Sequence, residues 1–210
     1  MRWRRIEKEN STQPDTGGYR DWKEQIAEEC FHQCVYCCIS EGQFGGTRNF
    51  HVEHYRPKSR FAHLRDDISN LFYACSICNV FKSNDWPADP NSDFSNCSYA
   101  DPSAVDFTEI FAERTEGRID GNNTTARYML ERLYLNRPQL LLARRIAAIS
   151  RRLGHLTAEL HKLSELLRQR EGNEPRELLG RIVDVLTRSF EIREQIRQLR
   201  PYEADDVRRR

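Results

Sequence analysis

Asn70-Leu71-Phe72-Tyr73-Ala74-Cys75-Ser76-Ile77-Cys78-Asn79-Val80-Phe81-Lys82 is an apolar run ending in a Cys-x-x-Cys pair, with Asn79 against its second cysteine and Lys82 three residues on. Upstream, Cys34-Val35-Tyr36-Cys37 repeats the same two-residue insert. Each pair can give two thiolates to a tetrahedral zinc, so together they predict a four-cysteine zinc knuckle. Cys30, one helical turn before Cys34, and Cys38, directly after Cys37, are substitute ligands on spacing alone. The matching inserts favour Cys34 and Cys37 and leave Cys30, Cys38 and Cys97 as structural thiols, since unpaired cysteines are commonly buried. A redox pair would need a single Cys-x-x-Cys at a helix start in a βαβ setting, and no such pattern is present.

Working outward, the start of the chain, Met1-Arg2-Trp3-Arg4-Arg5-Ile6-Glu7-Lys8, is basic with no apolar stretch behind it. It reads as no signal peptide, which places the chain in the cytoplasm and its seven cysteines in a reducing compartment, where a disulfide framework is not expected. The longest aliphatic run, Leu140-Leu141-Leu142-Ala143, falls far short of the roughly 20 apolar residues that a bilayer span needs. A membrane protein is therefore excluded. At 210 residues, 38% hydrophobic and 31% charged, the chain suits one globular domain or a small domain with a helical appendage. The net charge of +1 hides a division: 16 Lys and Arg stand against 21 Asp and Glu up to Asn136, and 17 against 11 beyond it. Arginine supplies 28 of the 33 cations, a preference that suits phosphate or carboxylate partners.

Between the cysteine pairs, Asn49-Phe50-His51-Val52-Glu53-His54-Tyr55-Arg56-Pro57-Lys58-Ser59 begins as an alternating strand and is stopped by its proline. Glu53 and His54 then stand at a strand end, and His51 shares the Glu53 face. His63, in Arg60-Phe61-Ala62-His63-Leu64-Arg65, reads as a surface residue.

An acid-His strand end, a mid-loop Asn70 and a terminal Cys-x-x-Cys-Asn-x-x-Lys resemble the signature of the HNH endonucleases, in which these residues form a ββα-metal finger. That resemblance implies a phosphodiester hydrolase. The residue types suit the chemistry: His54, with an ordinary pKa of about 6.5, is a general base, while Glu53 and Asn79 offer hard oxygens for Mg²⁺ or Mn²⁺. By resemblance, Asn70 braces the loop and orients the imidazole, and the product carries a 5′-phosphate. Arg56, Lys58 and Lys82 are expected at phosphate oxygens. The family more often has Asp before its base histidine; Glu53 sets its carboxylate up to roughly 1.5 Å further out.

Downstream, residues 83–106 are rich in Asn, Asp, Ser and Pro and read as an irregular loop of little apolar mass. The segments from Phe107 to Glu113 and from Arg118 to Asp120 predict a hairpin around Glu116-Gly117. A helix follows, capped by Thr124 or Thr125, with Met129, Leu130 and Leu133 on its apolar face and an end near Asn136. Tyr99-Ala100-Asp101-Pro102, this hairpin, Leu133 to Leu140 and a helical lead-in from Tyr19 to Cys37 extend the resemblance to HNH proteins of bacterial anti-phage systems, including the Septu-type HNH subunit and retron-associated HNH nucleases. What it implies is DNA as substrate and an ATPase partner of ABC or SMC-like type that restrains the nuclease until infection.

Leu142, Ile146, Ile149, Leu153, Leu156, Leu160, Leu163 and Leu167 recur at alternating fours and threes, a heptad seam. Glu171 to Pro175 reads as a turn, after which Leu178, Ile182, Val185, Ile192, Ile196 and Leu199 continue the pattern. Arg151, Arg152, Arg168 and Arg170 read as a solvated face. The expected architecture is α+β: a small ββα-metal finger with a structural zinc knuckle, flanked by helices, plus a C-terminal antiparallel helical hairpin. Residues 1–136 form the nuclease domain, with the finger core at 34–82, and residues 137–210 form the hairpin, for partner binding or homodimerisation. Two other readings remain open: an inactive zinc and coiled-coil interaction module, and an HNH nuclease acting on RNA.

Overall fold

A computed structural model gives the architecture and describes residues 3–90, 94–168 and 176–199. The chain divides into two compact units, Met1–Leu141 and Leu142–Arg210.

The first unit is built on a short antiparallel hairpin, β1 (Phe50–His54) and β2 (Leu71–Cys75), followed without a break by helix α2, which packs on both strands. Helix α1 (Lys23–Glu29) lies earlier in the chain and packs against β2, and α2 spans Ser76–Lys82. The register pairs Phe50 with Cys75 and His54 with Leu71, and Tyr55 N–H extends the ladder to the Asn70 carbonyl at 2.9 Å. Every residue of β2 is buried, as expected of a continuous apolar run, and Phe50 stacks on Tyr73 at 4.9 Å. This closes the ββα unit around a buried aromatic centre.

The helical lead-in is shorter than the sequence suggests. It ends at Glu29 because Phe31 and His32 both adopt positive φ, which reverses the chain into the Cys34–Cys37 turn. Val35 N–H then bonds the Tyr73 carbonyl at 2.9 Å and ties that turn to β2.

The loop after α2 carries more of the core than its composition implied. Trp86, Tyr99 and Ala100 are buried, the Trp86 and Tyr99 rings stack at 6.1 Å, and the Tyr55 hydroxyl donates to the Tyr99 carbonyl at 2.8 Å. Phe107–Ile110 forms a single helical turn, α3, rather than strand, because Asp106 accepts from the Thr108 N–H at its start. The predicted hairpin therefore begins only at Phe111, pairing β3 (Phe111–Glu113) with β4 (Ile119–Gly121) around Glu116 and Gly117, both at positive φ. Helix α4 (Thr124–Arg132) is capped by Asn123, not by either threonine, through a 2.8 Å bond to Ala126 N–H; it ends before Leu133, not near Asn136.

Helix α5 runs from Pro138 to Arg168, opening on a proline whose missing N–H costs nothing at a first helical position, and α6 spans Arg176–Leu199. In the second unit Leu163, Leu178 and Val185 form a small core flanked by Leu156, Leu160, Leu167 and Ile182. Glu159 pairs with Arg181 at 3.7 Å, and further along Arg152 and His155 share a groove with Arg188 and Ile192, the order of antiparallel neighbours. The expected turn at Glu171–Pro175, Arg170 and the terminal arginines lie outside the described residues. Among the described residues no helix is long and apolar enough to cross a membrane.

Candidate active site and metal centres

The strand-to-proline segment delivers His54 to the last position of β1, where it is 8% exposed. Its Nε2 lies 2.9 Å from the Arg65 carbonyl oxygen. A carbonyl only accepts, so this nitrogen must carry the proton, which leaves Nδ1 with its lone pair. Burial lowers the imidazole pKa, and the Lys58 and Lys82 charges add to that, outweighing the Arg65 carbonyl and Asp66. The ring is thus neutral at pH 7.

The carbonyl that holds His54 is itself held by a braced loop. Asn70 accepts from Arg56 N–H at 2.8 Å and donates to the carbonyls of Arg56 and Leu64, both at 3.1 Å. One buried amide side chain therefore ties both ends of residues 56–64, next to Arg65. Three such bonds at about 1 kcal/mol each outweigh the entropy of an amide rotamer.

Glu53, Asn79 and His54 line one open cavity of about 570 Å³, together with Lys58 and the exposed His51. Glu53 is 4% exposed, and its Oε1 accepts from Lys82 Nζ at 2.7 Å and from the Tyr36 hydroxyl at 3.3 Å. Burial pushes its carboxyl above the usual range, and the Lys82 ammonium pulls against that. The oxygen set of Glu53 and Asn79 is a hard-donor pair that fits a Mg²⁺- or Mn²⁺-type ion, since both residues face the cavity and both named Glu53 contacts fall on one oxygen.

The three cations expected at phosphate separate. Lys58 is exposed on the cavity and donates to the Tyr19 hydroxyl at 2.9 Å. Arg56 instead pairs with Asp89 at 3.3 Å and does not line the cavity. Lys82 is fully buried: it donates to the His54 carbonyl at 2.9 Å as well as to Glu53, and its ammonium lies 5.4 Å from the Tyr99 ring centre. Lys82 is therefore a buried counter-charge inside the finger and has no open face for phosphate. Removing it leaves the Glu53 charge uncompensated in a low-dielectric setting. Lys82→Met should cost roughly 3–5 kcal/mol in chemical denaturation, and adding Glu53→Gln should recover part of the loss. A cost under about 1 kcal/mol would show that the pair contributes little.

Sequence reasoning missed the wall of the cavity contributed from before the finger. Tyr19 meets the His54 ring edge-on at 4.7 Å and accepts from Arg20 at 3.2 Å in addition to Lys58, while Arg20 and Lys23 also line the cavity. The Lys58 hydrogen bond is the main influence drawing the Tyr19 phenol pKa down. No local pattern announces these residues, because they meet the finger only through tertiary packing. His63 is an exposed residue edge-on to Phe61.

Cys34, Cys37, Cys75 and Cys78 gather with their sulfur atoms within 4.8 Å of one another, all buried. Cys37 and Cys75 are 3.8 Å apart, which is the edge of a tetrahedron with zinc-to-sulfur bonds of about 2.3 Å and far too long for a disulfide. The cluster fits structural zinc. Cys30 and Cys38 are buried outside it, with Cys30 Sγ accepting from Tyr73 N–H at 3.4 Å, and Cys97 is exposed. Burial pushes the Cys30 thiol up to about 12, so it stays protonated and unreactive. Iodoacetamide on the folded zinc form at pH 8 should accordingly modify Cys97 alone, as read by peptide mass mapping; labelling of Cys30 or Cys38 would mean that this core opens.

A ββα hairpin-helix with a histidine at its strand end, a carboxylate and an amide on the same cavity and a four-cysteine cluster that fits structural zinc defines a small α+β finger. Residues 34–85 match the family model of the HNH endonucleases, and the chain carries an HNH endonuclease domain there. No curated protein and no solved structure matches the chain.

Proposed function

We propose that the chain is a metal-dependent endonuclease that hydrolyses phosphodiester bonds of DNA, with His54 as general base. The observation that carries this reading is the 2.9 Å bond from His54 Nε2–H to the Arg65 carbonyl, made by an imidazole that faces the same cavity as Glu53 and Asn79. Glu53 and Asn79 would hold one Mg²⁺ or Mn²⁺, and that ion would supply Lewis-acid stabilisation of charge on the phosphate and the leaving oxygen. Nδ1 of His54 takes a proton from a water aimed at phosphorus, while the Arg65 carbonyl steadies the resulting imidazolium. Asn70 keeps the loop that carries this carbonyl in place. Lys58, with Arg20 beside it on the Tyr19 hydroxyl and Lys23 on the same cavity, meets phosphate oxygens along the substrate backbone. Zn²⁺ on the four cysteines holds the finger together and takes no part in hydrolysis.

The chain acts as effector of a bacterial anti-phage system, under an ATPase partner of ABC or SMC-like type. What supports a partner contact is a row on α6, Leu179, Val183, Leu186 and Phe190, exposed at heptad spacing on a face other than that of Leu178 and Val185. Exposed rows of this kind mark association surfaces, for an ATPase or for a second copy of the chain. Cleavage of supercoiled plasmid in Mg²⁺, Mn²⁺ or EDTA, alongside a structured RNA, tests the activity. Metal-dependent nicking of DNA is the expected result; cleavage of RNA alone would move the substrate, and stable binding without any cleavage, even with copurified partners present, would leave an interaction module.

A further inference from the structure

Arg137 lies 59 residues after Cys78, outside the stretch matched to the nuclease family, yet its guanidinium rests on the sulfur cluster. Nη2 is 3.5 Å from Cys78 Sγ, 3.6 Å from Cys37 Sγ and 3.8 Å from Cys75 Sγ, and Nη1 is 3.6 Å from Cys78 Sγ. Three of the four sulfurs thus receive N–H groups from one cation. The same guanidinium also donates from Nη1 to the carbonyls of Leu133, at 3.1 Å, and Tyr134, at 3.4 Å, just past the end of α4. It is half-buried.

We propose that Arg137 is a positioning residue of the zinc centre, compensating the charge of the tetrathiolate and lowering the electron density on its sulfurs. Four thiolates on Zn²⁺ carry a net charge of −2, and burying that charge is costly unless a cation accompanies it. Arginine suits the task because it is permanently charged and its planar fork spans several acceptors at once, whereas a lysine ammonium is a single point. N–H···S bonds make the thiolates less basic and less nucleophilic, so the zinc is held longer and the sulfurs resist electrophiles. The groups that hydrogen-bond to metal ligands commonly alter metal affinity by about 10–100-fold, which sets the scale. By holding the α4 end and both knuckle pairs together, Arg137 also fastens the downstream part of the first unit to the finger.

This inference rests on the cluster being a zinc site, so zinc per chain in the wild-type protein is measured first; its absence would overturn the zinc reading itself. Full-length wild type, Arg137→Met and Arg137→Lys are then compared for zinc transfer to a chromogenic chelator. Arg132→Met serves as control, since Arg132 pairs with Asp85 on α4 without touching sulfur. Arg137→Met should release zinc at least about 10-fold faster, Arg137→Lys should fall between, and the control should match wild type. Refolded with Co²⁺, Arg137→Met should also show its sulfur-to-metal charge-transfer band shifted to longer wavelength, because unpaired thiolates are better electron donors. Zinc release and band position equal to wild type in Arg137→Met, even with lowered thermal stability, would overturn the proposal and reduce Arg137 to a cap of α4. Should Arg137→Met not fold, Arg137→Lys is read by the same two criteria, and wild-type values there would overturn it equally.

Discussion

His54→Ala should abolish metal-dependent nicking while leaving fold and zinc content intact. General-base catalysis contributes about 10²–10⁴-fold, and the loss of nicking rate should fall in or beyond that range. The fold survives because the imidazole makes one hydrogen bond and one ring contact at the rim of an open cavity, rather than filling the core. The pH profile gives an independent check. The His54 pKa is lowered by burial, so the neutral base form predominates at pH 7 and activity should decline only below the ordinary histidine range of about 6.5. His54→Ala protein that retains even a tenth of the wild-type rate would transfer the base role elsewhere, with His51 on the same cavity as the candidate to examine.

Cys75→Ala should have the larger effect on stability. Cys75 ends β2 and stands at the N-cap position of α2, so its sulfur sits in the four-cysteine cluster at the point where the two elements of the finger meet. Zinc binding supplies about 10–16 kcal/mol of folding free energy in zinc-finger peptides, more than the whole stability of an ordinary domain. The variant is expected to lose zinc, lose the cooperative unfolding transition of the first unit and become protease-sensitive across residues 34–82. Helices α5 and α6, with their own small core, should keep helical circular dichroism in the same sample. If Cys75→Ala binds a full equivalent of zinc and unfolds as wild type does, the four-cysteine frame is wrong and Cys30 or Cys38 has replaced it.

The contrast between the two variants separates chemistry from scaffold. Equal loss of fold in both would mean that His54 is structural. Loss of activity in both with fold retained in both would mean that zinc is dispensable for folding.

Lys82 shows where spacing misleads. Asn79 and Lys82 stand three apart on α2, a spacing that puts neighbours on one helix face, yet Asn79 lines the cavity and Lys82 is fully buried. Whether that face meets solvent depends on Trp86 and Tyr99, whose rings come from a loop that composition marks as polar. Arg56 is turned aside in the same way, by Asp89 from that loop. Helix capping at Asn123 and the helical turn at Phe107 were missed for a smaller reason. The acceptor on Asn123 moved the helix start one residue from where it was expected, and the acceptor on Asp106 turned the first four residues of the expected strand into a helical turn.

From the sequence alone come the four cysteines of the cluster, the alternating strand that ends at Glu53 and His54, and the helical character of the last third. These are written in spacings of two, three, four and seven residues, which local geometry reads without help from the rest of the chain. Only the tertiary structure decided which nitrogen of His54 carries the proton, that Lys82 is buried against Glu53, that Tyr19 walls the cavity and that Arg137 rests on the sulfurs. Each of those depends on a carbonyl, ring or cation brought from a distant segment, and such encounters leave no period in the sequence because folding, not local spacing, creates them.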